Sequence, residues 1–276
     1  YGKTPPCTNI ILKKKIKNVF YGFEDPDKRT FKKAKKILSS KGIKTKLIKS
    51  KNYNNFYKSY FINKKFNIPF ITAKIALSRD FLSINKKRKW ITNVESRKIV
   101  HLFRSQHDSI LSTYKSINFD NSLLNCRLEG LNNNKPDLFI IDLNLKLRKN
   151  LSLNKLLKKR KTYLITIKGN KKKTDPYKKL GYKIIFVETL EKKKDFLILY
   201  KKIYELGYSR VFVESGLTFL NTLIKNKLIN DLYIFKNENK LGINGKNNTS
   251  SDYLKKLSTK LVQINLKDDK LYIKNF

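Results

Sequence analysis

The first 66 residues carry a hydrophobic pattern that changes between helical and strand spacing. Residues 9–23 predict a short helix followed by a strand, and residues 29–41 predict an amphipathic helix. Residues 43–48 alternate apolar and polar side chains, as a half-buried strand does, and residues 51–67 predict an aromatic-rich helix. The order helix, strand, helix, strand is typical of a small α/β unit.

The rest of the chain carries apolar runs of strand length that are separated by helical patterns. Because strands that alternate with helices pair in parallel, this part predicts an α/β fold with a mostly parallel sheet. The predicted strands are residues 70–77, 108–112, 137–142, 162–167, 183–188 and 210–213, and the predicted helices are residues 94–107, 195–206 and 218–227.

The last part of the chain departs from this alternation. Residues 231–236 and 270–275 are expected to form late strands that are antiparallel at one edge of the sheet, and residues 237–252 are expected to form a polar loop. The change of pattern along the chain predicts two domains, residues 1–66 and residues 67–276.

The chain is strongly basic. Its 276 residues include 63 Lys and Arg against 21 Asp and Glu, which gives a formal net charge of +42. Nucleic-acid-binding surfaces combine clustered arginine with aromatic side chains, whereas these lysines are spread along the whole sequence. A/T-rich codons also raise Lys together with Asn, Ile, Phe and Tyr. We therefore expect a solvated surface that attracts phosphorylated ligands, with nucleic-acid binding as the alternative.

The cysteines and the apolar runs restrict the cellular setting. Cys7 and Cys126 are the only cysteines and lie far apart, which excludes a disulfide scaffold and suits a reducing compartment. No window approaches 18 uninterrupted apolar residues, so we predict no membrane-spanning helix and a cytoplasmic protein. The chain contains no Met and begins with Tyr1, which predicts a longer natural reading frame.

Several polar residues stand where α/β folds place their sites. Lys74 interrupts an apolar strand, and Glu214 ends another strand that leads through a Ser-Gly turn into a helix. Such a turn presents backbone N–H groups to a phosphate. Arg97 and Arg104 are seven residues apart on one helical face, and arginine suits bidentate phosphate binding. The alternatives are a snorkelling edge lysine, a surface salt bridge and an ordinary turn.

A possible zinc ligand lies near the start of the chain. Cys7 follows a Pro at a predicted helix start, where a thiolate is well placed to bind zinc, although a lone cysteine equally fits a buried thiol. Zinc deaminases also need a His-x-Glu motif, which the chain lacks. His101 and His107 are spaced by six residues and are expected to be surface or packing residues.

Residues 116–127 combine hydroxyl, acidic and basic side chains without helix or strand periodicity. This segment, which contains Ser116, Asp120 and Arg127, is predicted to be a loop, and such loops are either binding segments or simple turns. Trp90 is the only tryptophan, and we expect it in the core or in a stacking contact.

Taken in order, these segments resemble one family, the bifunctional riboflavin-biosynthesis deaminase–reductase. The motifs that carry the resemblance are GKTPPC (2–7), EDP (24–26), PFITAKIALSRD (69–80), KWIT (89–92), LFRSQHDSIL (102–111), DN with LLNCR (120–127) and VESG (213–216). The resemblance covers essentially the whole chain. It implies a reductase domain of dihydrofolate-reductase-like fold, preceded by the C-terminal part of a cytidine-deaminase-like α/β domain.

The resemblance also implies a role for each residue that matches a family motif. It implies that Lys74 and Glu214 are the catalytic polar pair beside the substrate. The implied substrate-binding residues are Arg104, Leu124, Arg127 and Glu214, and the implied NADPH-binding residues are Trp90, Ser116, Asp120, Gly216, Leu217 and Thr218. Cys7 is the one remaining zinc ligand of an incomplete site.

Four positions depart from the family pattern. Arg88, Leu143, Phe81 and Ser215 stand where the family has Ser, Ser, Gly and Gly, respectively. The first part of the deaminase domain, with its catalytic Glu and two other zinc ligands, does not precede Cys7. We therefore expect no deamination by this chain, and expect zinc and deaminase activity only in a longer full-length protein.

The resemblance implies a role in riboflavin biosynthesis. The expected reaction is the NADPH-dependent reduction of 5-amino-6-(5-phosphoribosylamino)uracil to its ribitylamino product, with hydride transfer to ribose C1′ of a ring-opened imine. The expected assembly is a homodimer through the reductase domain, without a membrane or nucleic-acid partner. The alternative hypothesis is a non-catalytic, strongly basic remnant that binds nucleic acid.

Overall fold

The computed structural model describes residues 5–27, 29–131 and 136–276. Residues 2–4 of the GKTPPC motif therefore lie outside the described residues. The chain divides between Ile68 and Pro69 into two compact units.

The described part of the first unit contains three helices and two strands. They are α1 (Cys7–Lys13), β1 (Asn18–Tyr21), α2 (Lys33–Ser40), β2 (Lys44–Leu47) and α3 (Lys51–Phe66). The two strands pair in parallel, and the burial of their side chains alternates, so one face of this small sheet is more covered than the other. This order agrees with the α/β pattern expected from the sequence.

Helix α2 begins four residues later than the sequence pattern predicts. The carboxylate of Asp27 accepts a hydrogen bond from the Arg29 N–H at 3.0 Å, and its carbonyl accepts the N–H groups of Thr30 and Phe31. These bonds hold the segment in a turn, which competes with the helix because short acidic side chains offer the backbone a local partner.

The second unit contains the remaining elements. In chain order they are β3 (Phe70–Leu77), β4 (Ile84–Asn85), α4 (Val94–Ser105), β5 (Ser109–Thr113), α5 (Tyr114–Asp120), β6 (Asp137–Ile141), β7 (Thr162–Ile167), α6 (Asp175–Leu180), β8 (Lys183–Val187), α7 (Lys193–Glu205), β9 (Arg210–Glu214), α8 (Leu217–Lys225), β10 (Asp231–Asn237), β11 (Gly245–Lys246), α9 (Asp252–Lys255), β12 (Lys260–Leu261) and β13 (Asp269–Asn275). Short 3-10 helices occupy Ser152–Leu156, Lys168–Lys173 and Gly242–Asn244.

Nine of these strands form one sheet in the described residues, in the order β12-β13-β10-β3-β9-β5-β6-β7-β8. The pairings from β10 to β8 are parallel, and β13 pairs antiparallel with β10 and with β12. The predicted α/β fold with a mostly parallel sheet is therefore confirmed. The central strands are buried on both faces, which explains their nearly continuous apolar sequence.

Two expectations for this unit are wrong in part. Strand β13 is antiparallel to both of its neighbours near one edge, as expected, but β10 is an interior strand, because it pairs in parallel with β3 and antiparallel with β13. Residues 116–120 are not a loop, because α5 begins where Thr113 caps it by accepting the Ser116 N–H at 3.4 Å. No helix in the described ranges is long and apolar enough to cross a bilayer.

A buried carboxylate fixes the start of helix α4. Asp269 is 2% exposed, and its Oδ2 accepts the backbone N–H of Asn93 at 2.8 Å and the hydroxyl of Ser96 at 2.6 Å. Its Oδ1 accepts the Asn237 amide at 2.7 Å. Asn93 itself caps the helix by accepting the Ser96 N–H at 3.0 Å. Strand β13 thereby holds the N-terminus of α4 in place.

We expect Asp269→Ala to lower the free energy of unfolding by about 3 kcal/mol, because one buried and two partly buried donors lose a buried carboxylate acceptor. Urea unfolding followed by the fluorescence of Trp90, the only tryptophan, measures this loss. Asp268→Ala is the control, because Asp268 is exposed and no stability change is expected there. Equal unfolding midpoints for the two variants would contradict a supporting role for Asp269.

Candidate active site

Two charged side chains meet at adjacent strands in the middle of the sheet. Lys74 of β3 is the register partner of Glu214, which is the last residue of β9. The neighbouring residues of both strands are mostly apolar and buried, so the strand backbones hold these two charged groups in a largely buried position. Carboxyl ends of parallel strands are where α/β folds build sites, and the sequence-predicted pair is brought together there.

Helix α4 supplies the partner of Glu214. Arg104, in its last turn, makes a bidentate pair in which Nε donates to Oε1 at 2.5 Å and Nη2 donates to Oε2 at 2.9 Å. The two side chains are only 11% and 10% exposed. The backbone carbonyl of Glu214 also accepts the Ser112 hydroxyl at 2.6 Å. Glu214 is therefore fixed at both its side chain and its backbone.

The charges of this cluster shift one another. Burial raises the pKa of Glu214, but Arg104 and then Lys74 lower it more, so the net pKa is below its usual value. Burial lowers the pKa of Lys74, and the nearby Glu214 carboxylate opposes this effect. The carboxylate thus stays ionised, while the ammonium of Lys74 is the group that gives up a proton more readily than usual.

The segment after α5 lies against the same arginine. Arg104 Nη1 donates to the carbonyl of Asn125 at 3.1 Å. The side chain of Arg127 donates from Nη1 to Asn125 Oδ1 at 2.9 Å. Leu124 has φ +47°, in the left-handed region, and its side chain is buried. The structure therefore brings together the sequence-predicted residues Arg104, Leu124 and Arg127.

His101 belongs to this cluster, contrary to the expectation of a surface or packing residue. Its Nδ1 accepts the backbone N–H of Arg127 at 3.2 Å and lies 3.5 Å from Arg104 Nη1. Two donors converge on Nδ1, so this nitrogen carries no proton. Burial, together with Arg104 and Arg127, lowers the pKa of His101 to about 4. Its position one helical turn before Arg104 is the sequence signal that could have found it.

A second group of predicted residues lies at the start of helix α8. Ser116 of α5 accepts the Gly216 N–H at 3.0 Å. No side chain caps α8, which has Gly216 at its N-cap position. Leu217 is buried, so only its backbone is open to a ligand, while Thr218 is exposed. The hydroxyl of Ser215 is buried without a hydrogen-bond partner among the described residues.

Two other predicted cofactor residues lie in different surroundings. Trp90 is 51% exposed, and Arg97 and Lys89 lie 5.0 Å and 5.2 Å from its ring. The stacking alternative therefore holds for Trp90, while the core alternative is wrong. Arg97 also donates to the Thr92 carbonyl at 2.7 Å, so it does not join Arg104. Desolvation raises the pKa of Asp120, at the end of α5, and Lys89 opposes this.

Three of the positions that depart from the family pattern differ in backbone conformation, contacts and exposure. Phe81 has φ +60°, a conformation that glycine adopts without strain, and its ring is 4.0 Å from the Lys236 ammonium. Leu143 presents its carbonyl to Asn170 at 2.7 Å. Arg88 is exposed.

The possible zinc ligand stands alone. Cys7 is exposed, as the first residue of α1. The described ranges contain no group of three His, Cys, Asp or Glu side chains that could hold a metal ion. A single thiol does not fit a zinc site, which needs at least three protein ligands, so we derive no metal chemistry from this chain.

Comparison with known sequences gives a consistent result. Residues 69–271 match the family described as RibD C-terminal domain. The riboflavin biosynthesis protein RibD of Bacillus amyloliquefaciens is 28% identical over 240 residues, covering 85% of this chain and 63% of that protein. RibD of Buchnera aphidicola is 27% identical over 263 residues, covering 85% of this chain and 66% of that protein. The chain thus spans less than two thirds of the length of these relatives.

Solved structures show the same fold. Acinetobacter baumannii RibD superposes with a TM-score of 0.78 at 20% identity, covering 99% of this chain and 76% of that chain. The Thermotoga maritima diaminohydroxyphosphoribosylaminopyrimidine deaminase/5-amino-6-(5-phosphoribosylamino)uracil reductase gives 0.77 at 20% identity, covering 100% and 76%. Saccharomyces cerevisiae riboflavin biosynthesis reductase Rib7 gives 0.59 at 20% identity, covering 82% and 99%.

We expect both histidines to stay neutral in the folded protein until the pH approaches 4. Burial lowers the pKa of His101 and of His107 to about 4, whereas an unfolded histidine titrates near 6.5. Between pH 4 and pH 6.5 the unfolded chain binds more protons than the folded chain does. The contribution of the two neutral histidines to the free energy of unfolding is therefore fully present above pH 6.5 and is lost as the pH falls towards 4.

Imidazole NMR signals followed through a pH titration measure these values. The chain has only two histidines, so the spectrum of His107→Gln assigns both signals. The same titration in urea is the control and should give a midpoint near 6.5. A folded-state midpoint near 6.5 for His101 would exclude its buried, neutral role between the two arginines.

Proposed function

The chain belongs to the RibD C-terminal domain family, and we propose that it is an NADPH-dependent reductase of riboflavin biosynthesis. The proposed reaction reduces 5-amino-6-(5-phosphoribosylamino)uracil to its ribitylamino product. One observation carries the proposal: a buried Lys74–Glu214–Arg104 cluster lies at the carboxyl edge of the sheet, and Glu214 is three residues before the start of the uncapped helix α8. The cluster offers fixed charges, and the helix start offers free N–H groups.

The residues at the start of α8 fit the phosphates of NADPH. The N–H groups of the first turn, which no side chain caps, and the helix dipole favour an anion there. The unpartnered, buried Ser215 hydroxyl supplies a further polar group. Ser116, Gly216, Leu217 and Thr218 would hold the cofactor. When bound, NADPH supplies the hydride.

The segment 123–127 and helix α4 bind the substrate in this proposal. Arg127 is exposed overall and lies beside Arg104, and partial desolvation together with this second cation lowers its pKa below the usual value. Arginine pairs with phosphate in a bidentate manner, so Arg127 is the residue we assign to the substrate phosphate. The remaining family assignments, Trp90 and Asp120, are proposed to line the cofactor side.

Reduction of an imine consumes one hydride and one proton. Glu214 is ionised and both of its oxygens are occupied by Arg104, so it does not donate this proton. Lys74 holds a proton on Nζ, and its burial makes that proton easier to release. We assign Lys74 Nζ as the donor to the imine nitrogen, while Glu214 keeps the ammonium charged and oriented.

The first unit corresponds to the C-terminal part of a zinc deaminase domain in this proposal, over residues 1–66. Cys7 alone does not form a zinc site, so deamination is proposed only for a longer protein that supplies the other ligands. The proposed assembly is a homodimer through the reductase domain, residues 67–276, in the cytoplasm.

The direct test is oxidation of NADPH by the purified chain, followed by its absorbance at physiological salt. We expect steady oxidation that requires the phosphoribosylaminouracil substrate. No oxidation by a folded chain that binds NADPH would contradict the proposed reaction, and tight, salt-dependent binding to DNA without dinucleotide binding would favour the nucleic-acid alternative.

We expect Lys74→Met to lower kcat by about 10²–10⁴-fold, because the proton donor is lost. Glu214→Gln should move the alkaline limb of the kcat–pH profile to lower pH, because the carboxylate that stabilises the Lys74 ammonium is gone. Lys201→Met, on the exposed face of α7, is the control for the loss of a lysine. An unchanged kcat in Lys74→Met would remove Lys74 from the mechanism.

We expect Arg127→Ala to raise the KM for the substrate by about 10–100-fold, with a small change in kcat, because one charged contact to the phosphate is lost. Steady-state kinetics at saturating NADPH measure both constants. A dephosphorylated substrate is the matched comparison, since its weaker binding should be insensitive to this substitution. Equal losses for both substrates would mean that Arg127 does not contact the phosphate.

A further inference from the structure

Arg160 is a buried arginine that the sequence pattern did not single out. It is 6% exposed, and its guanidinium donates only to backbone carbonyls. Nη1 donates to the carbonyl of Leu124 at 2.5 Å and to that of Pro136 at 3.2 Å, and Nη2 donates to that of Leu123 at 2.5 Å. Within the described ranges no carboxylate lies within ion-pair distance of it.

A buried cation without an ion pair is costly, because the attraction of the Asp137 carboxylate, which lies beyond ion-pair distance, does not offset the lost hydration. Burial lowers the pKa of Arg160 to about 10, which still leaves it charged at neutral pH. An apolar side chain of similar length would fill the same space without this cost. The charge and the three donor contacts therefore indicate a task beyond packing.

The geometry of the peptide bond shows how the contacts of Arg160 orient the neighbouring N–H groups. The described chain has no cis peptide, and in a trans peptide the carbonyl and the next N–H point in opposite directions. Since the carbonyls of Leu123 and Leu124 face Arg160, the N–H groups of Leu124 and Asn125 face away from it. Neither N–H has a hydrogen-bond partner among the described residues.

Two further arginines contact the same segment. Arg104 Nη1 donates to the Asn125 carbonyl, and Arg127 donates to the Asn125 side chain. Leu124 is held with φ +47°, which a leucine adopts only when its surroundings impose it. Two adjacent N–H donors in a segment that two arginines contact suit an anion, and Arg160 imposes the peptide orientation that leaves these donors available.

We propose that Arg160 is a positioning residue, which aims the N–H groups of Leu124 and Asn125 at the phosphate of the substrate. The proposal rests on the proposed reductase function and deepens it. Arg160 acts through the backbone of segment 123–127 and not by touching the substrate. It therefore governs phosphate binding and not the hydride-transfer step.

Two substitutions distinguish the effect of the Arg160 charge from that of its three hydrogen bonds. Arg160→Met removes the charge and the hydrogen bonds, while Arg160→Lys keeps the charge but cannot reach three carbonyls with one forked, planar group. We expect Arg160→Met to raise the KM for the substrate by about 10-fold or more with kcat changed less than about 3-fold. Arg160→Lys should lie between Arg160→Met and the natural chain. The KM for NADPH should not change in either variant.

Arg210→Lys is the matched control, because Arg210 is an exposed arginine, the first residue of β9. Circular dichroism and thermal unfolding check that each variant is folded. If Arg160→Met does not fold, Arg160→Lys alone still tests the proposal. An unchanged KM for the substrate in folded Arg160→Lys, or a fall in kcat that matches the rise in KM, would overturn it.

Binding of inorganic phosphate, measured by calorimetry, separates this proposal from the reductase proposal. We expect the natural chain to bind phosphate and both Arg160 variants to bind it at least several-fold more weakly. If the natural chain shows no turnover but the phosphate result holds, the reaction is wrong and the positioning role stands. If all three proteins bind phosphate equally, or none binds it, the positioning role is refuted.

Discussion

The arrangement of the second unit depends on one requirement: a carboxylate at the end of a buried strand must keep its charge. Glu214 could not stay ionised there alone, because burial raises its pKa. The positive charges of Arg104 on α4 and of Lys74 on β3 stabilise the ionised carboxylate of Glu214. This cluster constrains the relative positions of α4, β3 and β9, because displacement of any of them leaves a buried ion without its partner.

Backbone groups carry much of the site, and side chains from elsewhere hold that backbone in place. Asp269 fixes the start of α4, Ser112 holds the Glu214 carbonyl, and Arg160 holds the carbonyls of segment 123–127. None of these three need touch a ligand. Precision at the ligand thus depends on a surrounding layer of polar contacts whose distances are fixed by the rigid sheet.

The sequence predicted elements whose apolar runs are long and continuous, and it predicted chemistry where a polar residue interrupts such a run. Strand 162–167 has the predicted bounds, and Lys74 and Glu214 were found by this interruption. Helix α5 was missed because seven residues rich in polar side chains show no helical period. Arg160 was missed because its partners are carbonyls 24 to 37 positions away, a relation that no local pattern contains.

The tie between Asp269 and helix α4 has a consequence for how the protein is made. Ribosomes release the chain from its N-terminus, so α4, β5 and β9 leave the exit tunnel well before residue 269 does. Until strand β13 docks, the start of α4 lacks its anchor, and Arg104 at its other end lacks a fixed position. The nascent sheet can collapse early, but its charged centre is completed among the last events of biosynthesis, when the final strand arrives.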